Sequence, residues 1–189
     1  FRNPVIPGLH PDPSICRVGE DYYLVTSSFE YFPGVPLFHS RDLVHWRQLG
    51  HCLTRDSQLP LQNCRASGGI YAPTLRHHRG RFFMITTNVT VKRTDGRKHF
   101  FVYTDDITGQ WSEPVYLPGD GIDPSLMFDD DGTVFFTWTQ HGSIHQAEVD
   151  IETGELMSEP RSISRGTGAK GVEGPHLYRI GGRYYLMTA

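Results

Sequence analysis

The sequence is short of several things, and each shortage narrows what the protein can be. Its 189 residues include three cysteines, Cys16, Cys52 and Cys64, an odd and scattered set with no Cys-x-x-Cys spacing. That excludes a thiolate metal centre and a disulfide framework. Cys52 and Cys64 are the one pair open to bridging, and free thiols are the simpler expectation. Thiols this sparse favour a reducing, cytoplasmic setting, with secretion as the alternative. The net charge is −3 and no basic run interrupts it, so there is no footprint for nucleic acid. No apolar stretch approaches the roughly 20 residues of a membrane helix, and no signal-peptide pattern opens the chain. The first residue is Phe1 rather than Met, and Ala189 follows directly on an apolar run. Both ends read as cut or processed.

What is present is enough apolar and aromatic material, 38% and 12% of the residues, to bury a proper core. It is arranged in a repeat. Leu9-His10-Pro11-Asp12-Pro13-Ser14, Gly69-Ile70-Tyr71-Ala72-Pro73-Thr74, Gly121-Ile122-Asp123-Pro124-Ser125 and Gly171-Val172-Glu173-Gly174-Pro175-His176 are four versions of one phrase. Their anchoring prolines stand at 13, 73, 124 and 175, in steps of 60, 51 and 51 residues. Each is followed by a short apolar segment, a polar turn and an apolar run such as Tyr22-Tyr23-Leu24-Val25-Thr26 or Tyr184-Tyr185-Leu186-Met187-Thr188. A period of this length with several short strands per unit predicts an all-β propeller. The blades are expected at about 3–60, 61–118 and 119–168, with a fourth begun at 169–189. A propeller closes on itself or leaves raw strand edges, so the chain reads as the N-terminal part of a longer domain, about three and a half blades of it.

Several local features have a plain and a sharper reading. Trp46, before the fourth strand of the first unit, is expected to plug the blade core. Residues 91–97 read as a polar surface loop. Three aspartates ahead of Gly132 invite a calcium site, but the loop is too short to wrap a cation and lacks a distal acid; an Asp-Gly hairpin turn explains it better. Asn88-Val89-Thr90 matches the glycosylation triplet, a pattern common by chance.

Upstream of the anchoring prolines stand Asp12, Ala72, Asp123 and Glu173. The innermost strands of a propeller run beside its axis, so equivalent positions converge, and three carboxylates distant in sequence are expected at one end of the channel. Mutual repulsion then raises at least one pKa, leaving a protonated acid beside an ionised one. That is the equipment for cleaving a glycosidic bond. Turn chemistry alone accounts for the prolines, but it gives no reason for the preceding position to switch among Asp, Ala and Glu.

With these stretches in hand, and with Ser28-Phe29-Glu30-Tyr31-Phe32-Pro33-Gly34-Val35 and Ser67-Gly68-Gly69-Ile70-Tyr71, the chain resembles glycoside hydrolases of family 43 along essentially its whole length. These are β-xylosidases and α-L-arabinofuranosidases. The resemblance implies a five-bladed β-propeller and single-displacement hydrolysis with inversion. Asp12 would be the general base, Glu173 the general acid, and Asp123 the residue that keeps Glu173 protonated and oriented. An inverting pair stands roughly 6.5–9.5 Å apart to admit water. Phe29 and Tyr71 would wall the sugar pocket, Tyr71 replacing the tryptophan of many relatives. Relatives also draw an arginine and a histidine from the fifth blade, which this chain does not include.

The resemblance points to xylo- or arabino-oligosaccharides as partners and to no required cofactor and no catalytic metal, while admitting a structural calcium in the central channel. Oligomeric state is not legible. Fructan- and sucrose-cleaving propellers need an acid in the second blade, where this chain has Ala72. A catalytically inactive carbohydrate-binding propeller and an endo-arabinanase of the same family are the alternatives.

Overall fold

The computed structural model describes residues 1–90, 98–168 and 171–189; the polar loop expected at 91–97 lies outside the described residues. Among them the regular elements are all strands. The first sheet is β1 (Ser14–Val18), β2 (Asp21–Val25), β3 (Gly34–Ser40) and β4 (Arg47–Leu53), joined as an antiparallel meander. The second is β5 (Thr74–His78), β6 (Arg81–Thr87), β7 (His99–Thr104) and β8 (Val115–Leu117). The third is β9 (Ile122–Phe128), β10 (Val134–Gln140), β11 (Ser143–Glu148) and β12 (Arg161–Ser164). A two-stranded sheet, β13 (His176–Ile180) and β14 (Arg183–Met187), follows. These are consecutive blades of a β-propeller, with β1, β5, β9 and β13 innermost and each packed against the next.

Local chemistry explains the hairpins. Arg79 and Gly80 link β5 to β6 with φ of 49° and 82°. Two consecutive positive φ angles make the tight turn whose twist suits antiparallel strands, and glycine is at home in the second place. Packing explains the stacking. In β6, Phe82 and Met84 join the cluster shared with the first sheet, through Val25, Leu37 and Leu53. Their neighbours Phe83 and Ile85 join the cluster shared with the third, through Leu126, Phe136 and Trp138. Successive strand residues point to opposite faces, so the middle blade reads as an unbroken apolar run because both its faces are covered. Hydrogen bonds tie the inner strands: Leu75 N donates to Ser14 Oγ at 3.1 Å, and Thr74 Oγ1 donates to the Pro124 carbonyl at 3.0 Å.

Trp46 does not plug a core. It is half-exposed and lies in the turn outside the β3–β4 ladder, its Nε1 donating to the Leu43 carbonyl at 3.0 Å. The indoles between sheets are Trp111, 4% exposed, and Trp138, 1% exposed and stacked on Phe136 with centroids 4.4 Å apart. The aspartate turn is a tie between blades. Arg179 Nη1 donates to Asp129 Oδ1 at 2.8 Å and to Asp130 Oδ2 at 2.7 Å, and Tyr184 donates its hydroxyl proton to Asp129. Asp131 accepts the amide of Thr133. Asn88 is buried, and its amide donates to the Pro60 carbonyl at 3.3 Å, a packing role. Cys16, Cys52 and Cys64 are free thiols.

These placements set a contrast between two tryptophans. Replacing Trp138 by Ala is expected to cost the full-length protein about 3–5 kcal/mol in urea unfolding, the range for emptying a large aromatic site. Trp46→Ala is expected to cost under about 1 kcal/mol, as for a surface change. Equal losses would return Trp46 to the core.

Candidate active site

Asp12, Asp123 and Glu173 come together, from three different blades, in one cavity of about 310 Å³ whose lining also includes Ala72, His176 and Ala189. The convergence follows from the repeat, since each acid stands at the mouth of an innermost strand. Three hollows are larger, about 540, 510 and 320 Å³. The first is largely apolar, and the acids of the other two are committed: Glu113 to Arg55, Asp105 to Arg81, Asp106 to the backbone and hydroxyl of Thr108, and Asp129 and Asp130 to Arg179.

The backbone is held in an unusual state at this ring. Asp12 and Asp123 have φ of 54° and 55°, and in the fourth repeat Gly174 takes the matching place before proline with φ 60°. The residue before proline is steered away from the α region, and Asp tolerates the left-handed region better than most residues. A non-glycine residue there costs on the order of 1–3 kcal/mol, strain characteristic of functional sites. Glu173 thus stands one residue upstream of the position that Asp12 and Asp123 occupy. Its backbone is fixed instead by Ala189, whose amide donates to the Glu173 carbonyl at 2.9 Å.

Asp123 has a second device. In the β9–β10 ladder Ser125 pairs with Thr137, but Ile122 pairs with Thr139, so β9 spends one extra residue around Asp123 and Pro124. Such a bulge bends the strand and re-aims a side chain. Gly121, just before it, has φ 122°, and a Cβ there would stand 1.9 Å from the Thr139 carbonyl oxygen. Only glycine fits.

The three carboxylates differ in surroundings. Asp12 is exposed and accepts a 2.5 Å hydrogen bond from Ser27 Oγ. Glu173 is exposed. Asp123 is half-buried and accepts the Gly174 amide at 3.1 Å. Burial pushes its carboxyl up to about 6, with the charges of Glu173 and Asp12 adding to the rise against the Gly174 hydrogen bond. Repulsion among converging acids is present, and the raised group is Asp123.

Phe29 and Tyr71 meet edge to face with centroids 5.8 Å apart. Tyr71 precedes the cavity-lining Ala72, but neither ring lines the cavity. Three side chains escaped the sequence reading: Ser27, which holds Asp12; His176, which lines the cavity; and Arg76, which donates to His176. His176 was detectable, because the residue after the anchoring proline is otherwise a hydroxyl, Ser14, Thr74 or Ser125. Among the described residues no group of three His, Cys, Asp or Glu is placed to hold a metal ion.

Comparison with known proteins places the chain in a family. The family model for glycosyl hydrolases family 43 matches residues 1–189. The chain is 49% identical to a non-reducing end α-L-arabinofuranosidase of Bacteroides ovatus, over all of this chain and 36% of that protein. It is 46% identical to a xylosidase/arabinosidase of Butyrivibrio fibrisolvens, over all of this chain and 38% of that one. Among solved structures, a xylan β-1,4-xylosidase from Bacillus halodurans superposes with a TM-score of 0.92 at 43% identity, covering all of this chain and 38% of its own. The chain therefore spans little more than a third of the relatives it matches.

The electrostatics of Asp123 give a pH signature. With a carboxyl near 6 in the folded chain against 3.8 unfolded, the folded state binds more protons between about pH 4 and 6. Stability from this group is present below that window and is lost as pH rises through it. Asp123→Asn, which keeps an acceptor for Gly174 but carries no charge, is expected to gain stability relative to the wild type at pH 7 and not at pH 4. Unfolding curves of both full-length proteins at the two pH values test this; an equal difference at both would show that Asp123 titrates normally.

Proposed function

Because the chain belongs to glycosyl hydrolases family 43, we propose that the protein hydrolyses terminal β-D-xylosyl or α-L-arabinofuranosyl residues of hemicellulose oligosaccharides by single displacement with inversion. The observation that carries this is the meeting of Asp12, Asp123 and Glu173 in one cavity. The names of the relatives, an α-L-arabinofuranosidase and a xylosidase/arabinosidase, support the substrate class.

In this reading Asp12 is the general base. Its exposed carboxylate, steadied by Ser27, takes a proton from the water that attacks the anomeric carbon. Glu173, across the cavity on another blade, is the general acid that protonates the departing glycosidic oxygen. Asp123 is the modulator. It accepts the amide of Gly174, the residue that follows Glu173, and so helps to orient the general acid from the neighbouring blade. Phe29 and Tyr71 would extend the apolar wall beside the sugar. The chemistry breaks one C–O bond at the anomeric carbon and forms another to water, assisted by proton transfers to and from carboxyl groups, and calls for no cofactor. The reading admits a structural calcium in the central channel without requiring one. Free thiols fit a reducing, cytoplasmic compartment.

Full-length protein incubated with xylobiose, followed by NMR, is expected to release the α-anomer of xylose from the β-linkage; β-xylose as first product would overturn inversion. Glu173→Gln is expected to lose about 10²–10⁴-fold in turnover of xylobiose and much less on p-nitrophenyl β-D-xyloside, whose leaving group needs little protonation. Asp12→Asn is expected to lose comparably on both. Binding of xylobiose without turnover by the wild type would indicate a carbohydrate-binding propeller instead.

A further inference from the structure

The first residue after the anchoring proline serves a common purpose in the early blades. Ser14 accepts from Leu75 N and Thr74 donates to the Pro124 carbonyl, each tying one inner strand to the next. His176 occupies this place in the fourth repeat and does something else. Arg76 reaches it from β5, Nη2 lying 3.2 Å from Nδ1 of the imidazole. The same guanidinium is fixed by Nε donating to the Leu126 carbonyl at 3.0 Å and Nη1 donating to the Leu75 carbonyl at 3.1 Å, with its carbon 5.3 Å from the Tyr178 ring centre. Arg76 therefore spans three blades.

A guanidinium only donates. Nδ1 of His176 must then be the acceptor, the ring must be neutral, and its single N–H must be on Nε2. Burial, aided by the charge of Arg76, holds this imidazole down at about 4, so neutrality persists where carboxylates are ionised. Among the described residues no hydrogen bond engages Nε2, and it is not one of the sealed, unpartnered polar atoms. His176 lines the cavity of the three acids.

We propose that His176 is a substrate-binding residue, its Nε2–H donating to a hydroxyl oxygen of the terminal pentose, and that Arg76 is the positioning residue that selects this tautomer. The inference rests on the cavity being the pentose site. It supplies a second donor: an ionised carboxylate only accepts and the proton of Glu173 is committed to the leaving oxygen, so an oxygen on the pentose ring needs a donor of its own. A neutral ring provides one without adding a positive charge that would favour ionisation of the acids. A site built around such a donor discriminates against sugars without the matching oxygen.

Two measurements on the full-length protein test this. The first compares kcat/KM for p-nitrophenyl β-D-xyloside with its 2-, 3- and 4-deoxy analogues. Removing one hydrogen bond between neutral groups is expected to cost about tenfold, both for one deoxy sugar on the wild type and for His176→Leu on the parent sugar. His176→Leu is expected to lose the preference at that one position, and His176→Gln, whose amide N–H reaches a similar place, to recover part of it. Unchanged discrimination at all three positions in His176→Leu would overturn the proposal, since a merely structural histidine would lower rates on every sugar alike. The second measurement is independent of turnover. Long-range ¹H–¹⁵N spectra are expected to show His176 as the Nε2–H tautomer at neutral pH, with Nε2 shifting on saturation with xylose, and Arg76→Met is expected to produce mixed tautomers. An Nδ1–H tautomer in the wild type, or no response to xylose, would overturn it. If the wild type hydrolyses neither xylosides nor arabinofuranosides, the hydrolase reading fails, while the xylose shift still decides the role of His176.

Discussion

A four-stranded sheet whose faces are both apolar has to be covered twice, and much else here depends on that requirement. The second blade shows it most plainly. Phe82 and Met84 face one neighbour while Phe83 and Ile85 face the other, so this sheet has no stable existence outside a stack. At roughly 25 cal/mol per Å² of apolar surface removed from water, these aromatic and aliphatic faces supply the main force that sets blade beside blade. Stacking of similar twisted sheets brings their first strands side by side, and that is what carries residues about fifty positions apart into one cavity. The convergence of the three acids is a by-product of core packing.

The cavity spends some of that stability. Asp12 and Asp123 sit at positive φ, each costing on the order of 1–3 kcal/mol, and Asp123 keeps a carboxyl in a place that disfavours its charge. The surroundings hold these states in place. Ser27 grips Asp12, the Gly174 amide meets Asp123, and the bulge opposite Trp138 re-aims the strand. Strain and repulsion of this kind persist only where the scaffold over-determines the conformation. Here that scaffold is the apolar interior between blades together with the cross-ties from Ser14, Thr74 and Arg76.

Much of this was legible in the chain, for identifiable reasons. The repeat of proline, strand, turn and strand could be counted, because strand periodicity and turn residues are local properties. The acids could be singled out because they recur at one place in that repeat. What misled was anything decided by a neighbour in space. Trp46 and Trp138 are the same residue type, yet one lies in a turn outside its ladder and the other sits within β10, stacked on Phe136 between sheets. The hairpin turn at 129–132 is as its residues predict, but the ties that Arg179 and Tyr184 make to it from the next blade were not legible. Glu173 counts as the equivalent of Asp12 only loosely, since Gly174 takes the left-handed position and shifts the acid one residue upstream.

By itself the sequence determined the strands, their turns, the fourfold recurrence and the identity of the three carboxylates, because each follows from residue type and spacing along the chain. Only the tertiary structure decided which acid is desolvated, which tryptophan is buried, and that Arg76 on β5 and His176 on β13 share a hydrogen bond. The physical reason is range. Backbone preference and apolar alternation act over a few residues, whereas desolvation, charge repulsion and tautomer choice depend on atoms that the stacking of blades brings within a few ångströms.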